Sequence, residues 1–254
     1  IAAESESANM EEIVIIGSRR AARSATDTTA PVDVIAGEEL TRNASTDIQD
    51  LMRTAVPSYN VNAQPISDAA TISRPANLRG LSPDNTLVLI NGKRRHRGSV
   101  ISFLGGGISD GAQGVDIATI PSLALKRVVV LRDGASSQYG SDAIAGVINF
   151  ELRDAAQGGF LEVTNGSTYE GDGDNYRVAG NIGLPLGDSG FVNITAEYGE
   201  VDGTVRSIVR QDVLNLIAAG NTAAADFKTI NSYTGAVPQY WGQPDVEDDF
   251  KIFI

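Results

Sequence analysis

The stretch VLRDGASSQYGSDAIAGVINF, from Val130 to Phe150, joins two β-branched runs through a turn and a row of small residues. The first run, Lys126–Arg132, predicts a strand, and Asp133-Gly134 after it predicts a turn. The second run, Val147–Leu152, predicts the last strand of a domain that ends near residue 155. The residues between them, Ala135–Ala145, are mostly small, which is typical of a short and closely packed connection.

The elements upstream of this stretch add a helix and two further strands. Strands are predicted at Val32–Ile35 and at Thr86–Ile90, and Asn91-Gly92 after the second strand is a strong hairpin signal. A helix is predicted to begin at Thr46, because Thr46 and Gln49 fit the capping-box pattern, and to end before Pro57. Its apolar residues recur at helical spacing: Ile48, Leu51, Met52 and Ala55.

Two segments of this first domain show no periodicity. Residues 58–77 contain two prolines, and residues 98–114 contain Gly105-Gly106-Gly107, so both are predicted to be loops. With the strands and the helix, they predict an α+β domain that has a small mixed sheet and short helices.

After Gly158-Gly159 the pattern changes to strict alternation of apolar and polar residues. Tyr176–Leu184, Val192–Tyr198 and Phe250–Ile254 alternate with a period of two, and Phe160–Tyr169 follows the same pattern more loosely. The connections alternate between short and long: Gly187 to Gly190 is a tight turn, whereas residues 203–248 form a long segment with a predicted helix at Gln211–Ala219. Alternating strands of about 10 residues with this rhythm of loops are typical of transmembrane β-barrels, although a soluble β-sandwich alternates similarly.

The composition excludes several functional classes. The net charge is −12, which argues against nucleic acid as a partner because phosphate binding needs a basic surface. There are no cysteines and a single histidine, His96, so we predict no metal site, no cofactor and no catalytic residues. A hydrolase would need His96 as its base, with a serine beside it in space.

Three stretches together resemble the TonB-dependent outer-membrane receptors. Val130–Phe150 resembles the signature of the family's plug domain, and Asn77–Lys93 resembles a second plug hallmark, an Arg-Gly pair before a strand that ends in Asn-Gly. Glu12–Arg19, EIVIIGSR, resembles the TonB box. From the residues alone, Ile13–Ile16 fits either the first strand of the following domain or a segment that pairs with another protein's sheet edge.

The resemblance implies three regions and a set of partners. Residues 1–20 would be a flexible segment with the TonB box, residues 21–156 the plug domain, and residues 157–254 about the first four antiparallel strands of an outer-membrane β-barrel. Because plugged transporters close with about 22 strands, these residues alone are not expected to close a barrel. The implied partners are the TonB energy-coupling complex of the inner membrane, outer-membrane lipid, and an extracellular small-molecule or oligosaccharide ligand; a lipoprotein partner is left open.

The resemblance also implies a function and two kinds of site. The function is TonB-dependent import of a scarce nutrient, such as a ferric siderophore or an oligosaccharide, across the bacterial outer membrane; the alternative is a receptor for signalling or adhesion that does not transport. The residues expected to bind TonB are Glu11, Glu12, Ile13, Val14, Ile15, Ile16 and Gly17. The family's plug–barrel ion cluster maps onto Arg79 and Arg132, each expected to contact a carboxylate, whereas Val129 stands where the family usually has an acidic residue.

Candidate ligand contacts lie in the predicted loops and after the hairpin. They are Tyr59, Asn60, Asn62, Arg94, Arg95, His96 and Arg97. The basic run Arg94–Arg97 would attract an anionic ligand by long-range steering. The alternative is that this run is a solvated hairpin end or takes part in salt bridges within the protein.

Overall fold

Two sheets of different character meet at residues 153–157 in the computed structural model. The structure describes residues 13–14, 23–24, 31–41, 47–61, 73–102, 107–204, 211–222 and 245–254. The first sheet lies in an N-terminal domain, residues 31–152, and the second is a C-terminal sheet that starts at Gly158.

The strands are β1 (Ile13–Val14), β2 (Arg23–Ser24), β3 (Val32–Ala36), β4 (Tyr59–Val61), β5 (Ala76–Leu78), β6 (Thr86–Ile90), β7 (Lys93–Arg94), β8 (Leu125–Leu131), β9 (Gly146–Leu152), β10 (Gly158–Gly166), β11 (Asn175–Leu186), β12 (Gly190–Val201) and β13 (Val246–Phe253). The α-helices are α1 (Gly37–Thr41), α2 (Ile48–Ala55), α3 (Ser136–Tyr139) and α4 (Gln211–Ala218). Short 3-10 turns lie at Pro83–Asn85, Gly107–Ser109, Ser122–Ala124 and Ser141–Ala143. Within the described part of the chain, none of the helices has the length and apolar character needed to span a membrane.

The N-terminal domain is built on a five-stranded mixed sheet with the order β3-β8-β9-β6-β7. Strand β6 runs parallel to β9, and the other pairs are antiparallel. The hairpin between β6 and β7 is the predicted one, and its turn residues Asn91 and Gly92 both have positive φ, as a type I′ turn requires. At the start of β9, Gly146 has φ +148°, and a Cβ there would meet the carbonyl oxygen of Leu131, so the signature stretch needs glycine at this position.

Both faces of this sheet are covered by apolar side chains. On one face, Phe150, Ile148 and Leu125 pack with residues of α1, α2 and the β4–β5 pair. On the other face, Leu87 and Val129 pack with small residues of the Ala135–Ala145 connection. A domain whose central strands are buried on both sides gains most of its stability from apolar burial.

Helix α2 confirms the predicted apolar face but begins one residue later than expected. Ile48, Leu51 and Met52 are buried. The N-cap is Asp47 rather than Thr46, because the Asp47 carboxylate accepts a hydrogen bond from the backbone N–H of Gln49 at 2.9 Å. An aspartate in extended conformation offers the same acceptor as a threonine, so the capping pattern left the start uncertain by one residue.

The prediction that residues 58–77 form a loop was wrong at both ends. Tyr59–Val61 and Ala76–Leu78 pair as the antiparallel strands β4 and β5. All three residues of β5 are buried, as are Tyr59 and Val61 of β4. The strands are only three residues long, which is too short for a period of two to emerge from the sequence.

The C-terminal sheet has the order β10-β11-β12-β13, and each neighbouring pair is antiparallel. One face carries exposed apolar side chains, among them Leu161, Val178, Ile182, Leu184, Phe250 and Ile252. The opposite face is polar and turns toward the N-terminal domain. Alternation with a period of two is therefore confirmed, with the polar side facing inward.

Candidate functional site

A chain of charged side chains crosses the inward face of the C-terminal sheet. Arg177 on β11 is the centre, with only 3% of its side chain exposed. Its Nη1 donates to the Glu197 carboxylate on β12 at 3.1 Å, and its Nη2 donates to Glu162 on β10. Lys251 on β13 extends the chain by donating to the other oxygen of Glu197 at 3.0 Å. These ion pairs connect all four strands of the sheet.

The strand register brings these charges together. Glu162 and Glu197 both lie directly opposite Ala179, which is two residues along β11 from Arg177. The methyl side chain of Ala179 leaves the space between the two carboxylates to the Arg177 guanidinium, which reaches both as diagonal neighbours. Lys251 lies directly opposite Glu197 in the next pair of strands. A buried arginine flanked by two carboxylates meets the requirement that an ion removed from water be paired.

The N-terminal domain contacts this ion chain through the 3-10 turn Ser122–Ala124. The Ser122 hydroxyl accepts a hydrogen bond from Arg177 Nη1 at 2.7 Å. Next to it, Arg153 Nε donates to the Leu123 carbonyl oxygen at 2.9 Å, and the Arg153 guanidinium lies 4.6 Å from the ring centre of Phe160 on β10. Burial lowers the pKa of Arg153, whereas the nearby carboxylates of Glu38 and Glu162 act in the opposite direction.

The structure places Arg79 and Arg132 in two separate ion pairs inside the N-terminal domain. Arg132 Nε lies 2.7 Å from Asp33, and Arg79 lies 3.7 Å from Asp133. Each therefore contacts a carboxylate, as expected. However, neither is buried, because 37% of the Arg132 side chain and 45% of the Arg79 side chain are exposed. Their role in a plug–barrel cluster stays a prediction.

Val129, the residue at the position where an acidic side chain was expected, lies inside the five-stranded sheet. Val129 is fully buried and lies opposite Asn149 on β9. One residue pair further along the same face, Arg127 bonds Glu151 at 2.5 Å, and the Asn149 amide donates to Glu151 at 3.2 Å. On this face of the sheet, the Glu151 carboxylate of β9 thus pairs with Arg127 of β8 inside the N-terminal domain.

Two arginines of the basic run Arg94–Arg97 form ion pairs within their own domain. Arg94 donates to Asp142 at 2.6 Å and also to the Tyr139 carbonyl oxygen. Arg97 lies within 4.0 Å of both Asp84 and Asp142. His96 is exposed and Arg95 is half-buried. Arg94 and Arg97 face carboxylates of their own domain. For these two arginines, the contacts therefore favour the alternative of salt bridges within the protein.

The other predicted ligand contacts divide into three cases. The prediction that Tyr59 contacts a ligand was wrong, because only 3% of this residue is exposed and its ring belongs to the core beside α2. Burial and the Asp47 carboxylate both raise the pKa of its phenol. Asn60 is exposed, and its side-chain oxygen accepts from the N–H of Val61 at 2.9 Å. Asn62 lies outside the described residues.

Of the segment predicted to be a TonB box, the structure describes only Ile13 and Val14. These two residues form β1, which pairs antiparallel with Arg23–Ser24. The other residues expected to bind TonB (Glu11, Glu12, Ile15, Ile16 and Gly17) lie outside the described residues.

The described residues give no support to a metal or hydrolase site. Within them, no three side chains of the metal-binding types lie close enough to hold an ion. Gly107–Gly111, GISDG, does match the spacing of a hydrolase nucleophile elbow. However, Ser109 ends a 3-10 turn instead of joining a strand to a helix, and its hydroxyl is buried with no hydrogen-bond partner among the described residues.

Comparison with known proteins identifies the N-terminal domain. The TonB-dependent Receptor Plug Domain family model matches residues 24–147. This chain carries a TonB-dependent receptor plug domain. The predicted family and fold class are thereby confirmed, and the N-terminal domain is called the plug and the C-terminal sheet the barrel sheet from here on.

Two curated receptors and one solved receptor illustrate the similarity. The ferrienterobactin receptor of Escherichia coli (strain K12) is 28% identical over 177 residues, which are 68% of this chain and 23% of that receptor. The vitamin B12 transporter BtuB of Photobacterium profundum is 26% identical over 79% of this chain and 30% of its own length. The crystal structure of the siderophore receptor PirA from Acinetobacter baumannii superimposes with a TM-score of 0.54 at 26% identity, covering 71% of this chain and 26% of that one.

The chain therefore spans about a quarter of the length of the curated relatives that it matches. The inward charges of the barrel sheet lie at its interface with the plug, because Arg177 donates to the Ser122 hydroxyl there.

Sequence reasoning missed Arg177, Glu162 and Glu197. The alternation already placed Arg177 and Glu197 on the polar side of their strands. Which inward residues become diagonal neighbours depends on the register between strands, and a single-residue shift would separate them. The signal was thus the presence of opposite charges at inward positions, without a way to pair them.

Proposed function

We propose that this chain belongs to an importer of the bacterial outer membrane, which takes up a ferric siderophore or a comparably scarce nutrient with energy supplied through TonB. The observation that carries the proposal is a plug domain seated on the polar face of a strand sheet whose opposite face is apolar. Its activity would be transport rather than catalysis.

The dimensions of the barrel sheet support a position in a membrane. Tyr176 and Leu186 lie ten residues apart on the apolar face of β11. At a rise of about 3.4 Å per residue and a tilt of about 40°, that separation gives a height of about 26 Å. The apolar band of outer-membrane barrels is about 25 Å tall, so a strand of this length suits it.

Aromatic residues lie at one end of this face. The rings of Tyr176 and Tyr198 are 6.1 Å apart on neighbouring strands. Aromatic side chains with a polar tip favour the boundary between lipid and water. The two tyrosines lie near the end of the strands that precedes the long connection, 202–245, which we assign to the extracellular side.

The proposed ligand class rests on the relatives and on the plug. The similar proteins include receptors for ferric enterobactin and a transporter for vitamin B12. Because Arg94 and Arg97 face Asp142, the plug offers Arg95 and His96 as the basic side chains for an anionic ferric chelate. TonB would add a strand to the segment around Ile13–Ile16 through main-chain hydrogen bonds.

Uptake by cells tests the proposal. The full-length receptor would be expressed in a strain that lacks its own siderophore receptors and supplied with radiolabelled ferric enterobactin or cyanocobalamin. We expect uptake of one of them that stops when a protonophore collapses the proton gradient. Binding without energy-dependent uptake would favour the alternative of a receptor for signalling or adhesion.

A matched pair of variants tests the TonB box. Ile15→Pro removes a backbone N–H from the segment to be paired, whereas Ile15→Val keeps it. We expect Ile15→Pro to lower uptake at least about tenfold, which corresponds to the loss of about one net backbone hydrogen bond, and to leave ligand binding to whole cells unchanged. Ile15→Val should transport normally. Equal transport by the two variants would contradict the proposed role of the box.

A further inference from the structure

The turn Ser122–Ala124 lies between the plug and the barrel sheet. All three residues are buried, and they lie against the inward faces of β11 and β12. Helix α1 packs on the same turn from the plug side. The turn is therefore enclosed between an early element of the plug and the wall of the barrel.

Two guanidinium groups bind this turn, one from β11 and one from the connection between the two sheets. Arg177 donates to the Ser122 hydroxyl at 2.7 Å, and Arg153 donates to the Leu123 carbonyl oxygen at 2.9 Å. The backbone N–H of Arg153 also donates to the Ala124 carbonyl oxygen at 2.9 Å. Hydrogen bonds from charged donors are the stronger class, and two of them converge here, together with one backbone bond, on three consecutive residues.

Arg153 is itself fixed to the barrel sheet. Its guanidinium lies over the ring of Phe160 on β10, and the chain then continues into that strand. Two residues after Arg153, the Ala155 carbonyl oxygen accepts a hydrogen bond from Asn193 on β12 at 3.3 Å. The connection between the domains is thus bound at both β10 and β12, close to the turn.

We propose that the Ser122–Ala124 turn is the anchor by which the plug stays attached to the barrel wall, with Arg177 and Arg153 as the positioning residues that hold it. The proposal rests on the proposed transport function, in which TonB pulls on the N-terminal segment. Strand β3, the first plug strand after that segment, lies at the sheet edge and is hydrogen-bonded to β8 alone within the described residues. Traction would therefore act first on β3, while the anchor retains the start of β8.

The charges around Arg177 allow the anchor to be tested without disturbing the barrel sheet. Glu162 and Glu197 neutralise Arg177 whether or not Ser122 is present. Replacing Ser122 therefore removes one hydrogen bond and leaves no buried charge unpaired. Replacing Arg177 would leave two carboxylates without their partner, so Ser122 is the residue to change.

The test compares Ser122→Val with Ser122→Thr in the full-length receptor. The two side chains have nearly the same shape, and only threonine keeps the hydroxyl. Hydrogen–deuterium exchange reports on the backbone N–H groups of Ala124 and Leu125, whose bonds to the carbonyl oxygens of Pro121 and Ser122 close the turn. We expect exchange there to be about tenfold faster in Ser122→Val than in Ser122→Thr, which is the effect of losing one hydrogen bond to a charged donor.

Ser122→Ala serves as a second variant, since it introduces no added methyl group. It should exchange as fast as Ser122→Val, and cells that carry either variant should become more sensitive to vancomycin, which a seated plug keeps out. Equal exchange in Ser122→Val and Ser122→Thr, or wild-type exchange in Ser122→Ala, would overturn the anchor. Both readouts are independent of ligand and of TonB, so they can fail while uptake succeeds, and the reverse.

Discussion

The plug sheet and the barrel sheet bury opposite kinds of side chain. In the plug, the centre of β8 is apolar on both faces, and Val128, Val129 and Val130 are all fully buried. In the barrel sheet, the buried side chains of β11 are Arg177, Ala179 and Asn181, while Val178, Ile182 and Leu184 are exposed. Buried side chains therefore pack against apolar neighbours in the plug sheet and form hydrogen bonds and ion pairs in the barrel sheet, because each sheet faces a different surrounding.

The two sheets should therefore respond to different substitutions. Loss of apolar volume should harm the plug, and loss of a single charge should harm the barrel sheet. Three predictions test this contrast, and all of them apply to the full-length receptor purified in detergent.

The largest effect is expected for Arg177→Met. This change leaves Glu162 without its arginine and leaves Glu197 with Lys251 alone. Breaking a buried ion pair by removing one partner costs about 3–5 kcal/mol. The heat-modifiable mobility of the folded barrel on gels measures the effect as a lower melting temperature.

A double variant sharpens that result. Glu162→Gln in the Arg177→Met background removes one of the unpaired charges, so it should recover part of the lost stability. If the double variant is as unstable as Arg177→Met alone, the ion chain is not the cause of the loss.

A smaller effect, confined to the plug, is expected for Leu51→Ala. Leu51 is fully buried between α2 and the five-stranded sheet, and removing its isobutyl group leaves a cavity. Such substitutions cost about 2–5 kcal/mol. Native-state hydrogen exchange should show the loss in β8 and β9, while the barrel melting temperature stays constant. Leu51→Met, which nearly conserves the volume, is the matched control, and an equal loss in both variants would argue against the cavity.

The smallest effect is expected for Arg94→Ala. Its ion pair with Asp142 lies at the surface, with 49% and 35% of the two side chains exposed. Exposed ion pairs contribute about 0–1 kcal/mol, and the contribution falls as salt rises. Denaturant melts of the plug at low and high salt measure it. A loss as large as that of Leu51→Ala would mean that this surface pair matters as much as the core.

Much of the architecture was accessible from the sequence. The predicted strands Thr86–Ile90, Lys126–Arg132 and Val147–Leu152 coincide with β6, β8 and β9 within one residue. The predicted helix Gln211–Ala219 agrees with α4. These elements are long or carry turn signals of their own, so local sequence is sufficient to define them.

The strands that the sequence did not predict are short. Strands β4 and β5 exist because each completes the other, and neither three-residue run has a pattern that predicts it alone. Tyr59 was predicted to contact a ligand because residues 58–77 were predicted to form a loop, yet in the paired strands β4 and β5 its side chain lies in the core. Whether a single residue in such a short strand is buried depends on how the strand is oriented by its pairing partner.

The sequence by itself determined the family, the order of plug and barrel strands, and which face of each barrel strand is polar. These features follow from local periods and from motifs whose turns need particular residues. Only the tertiary structure decided that Arg177 meets Glu162, Glu197 and Ser122, and that Arg79 and Arg132 pair separately within the plug. Those contacts join residues 15 to 99 positions apart, and they depend on strand register and domain docking, which no local stretch specifies.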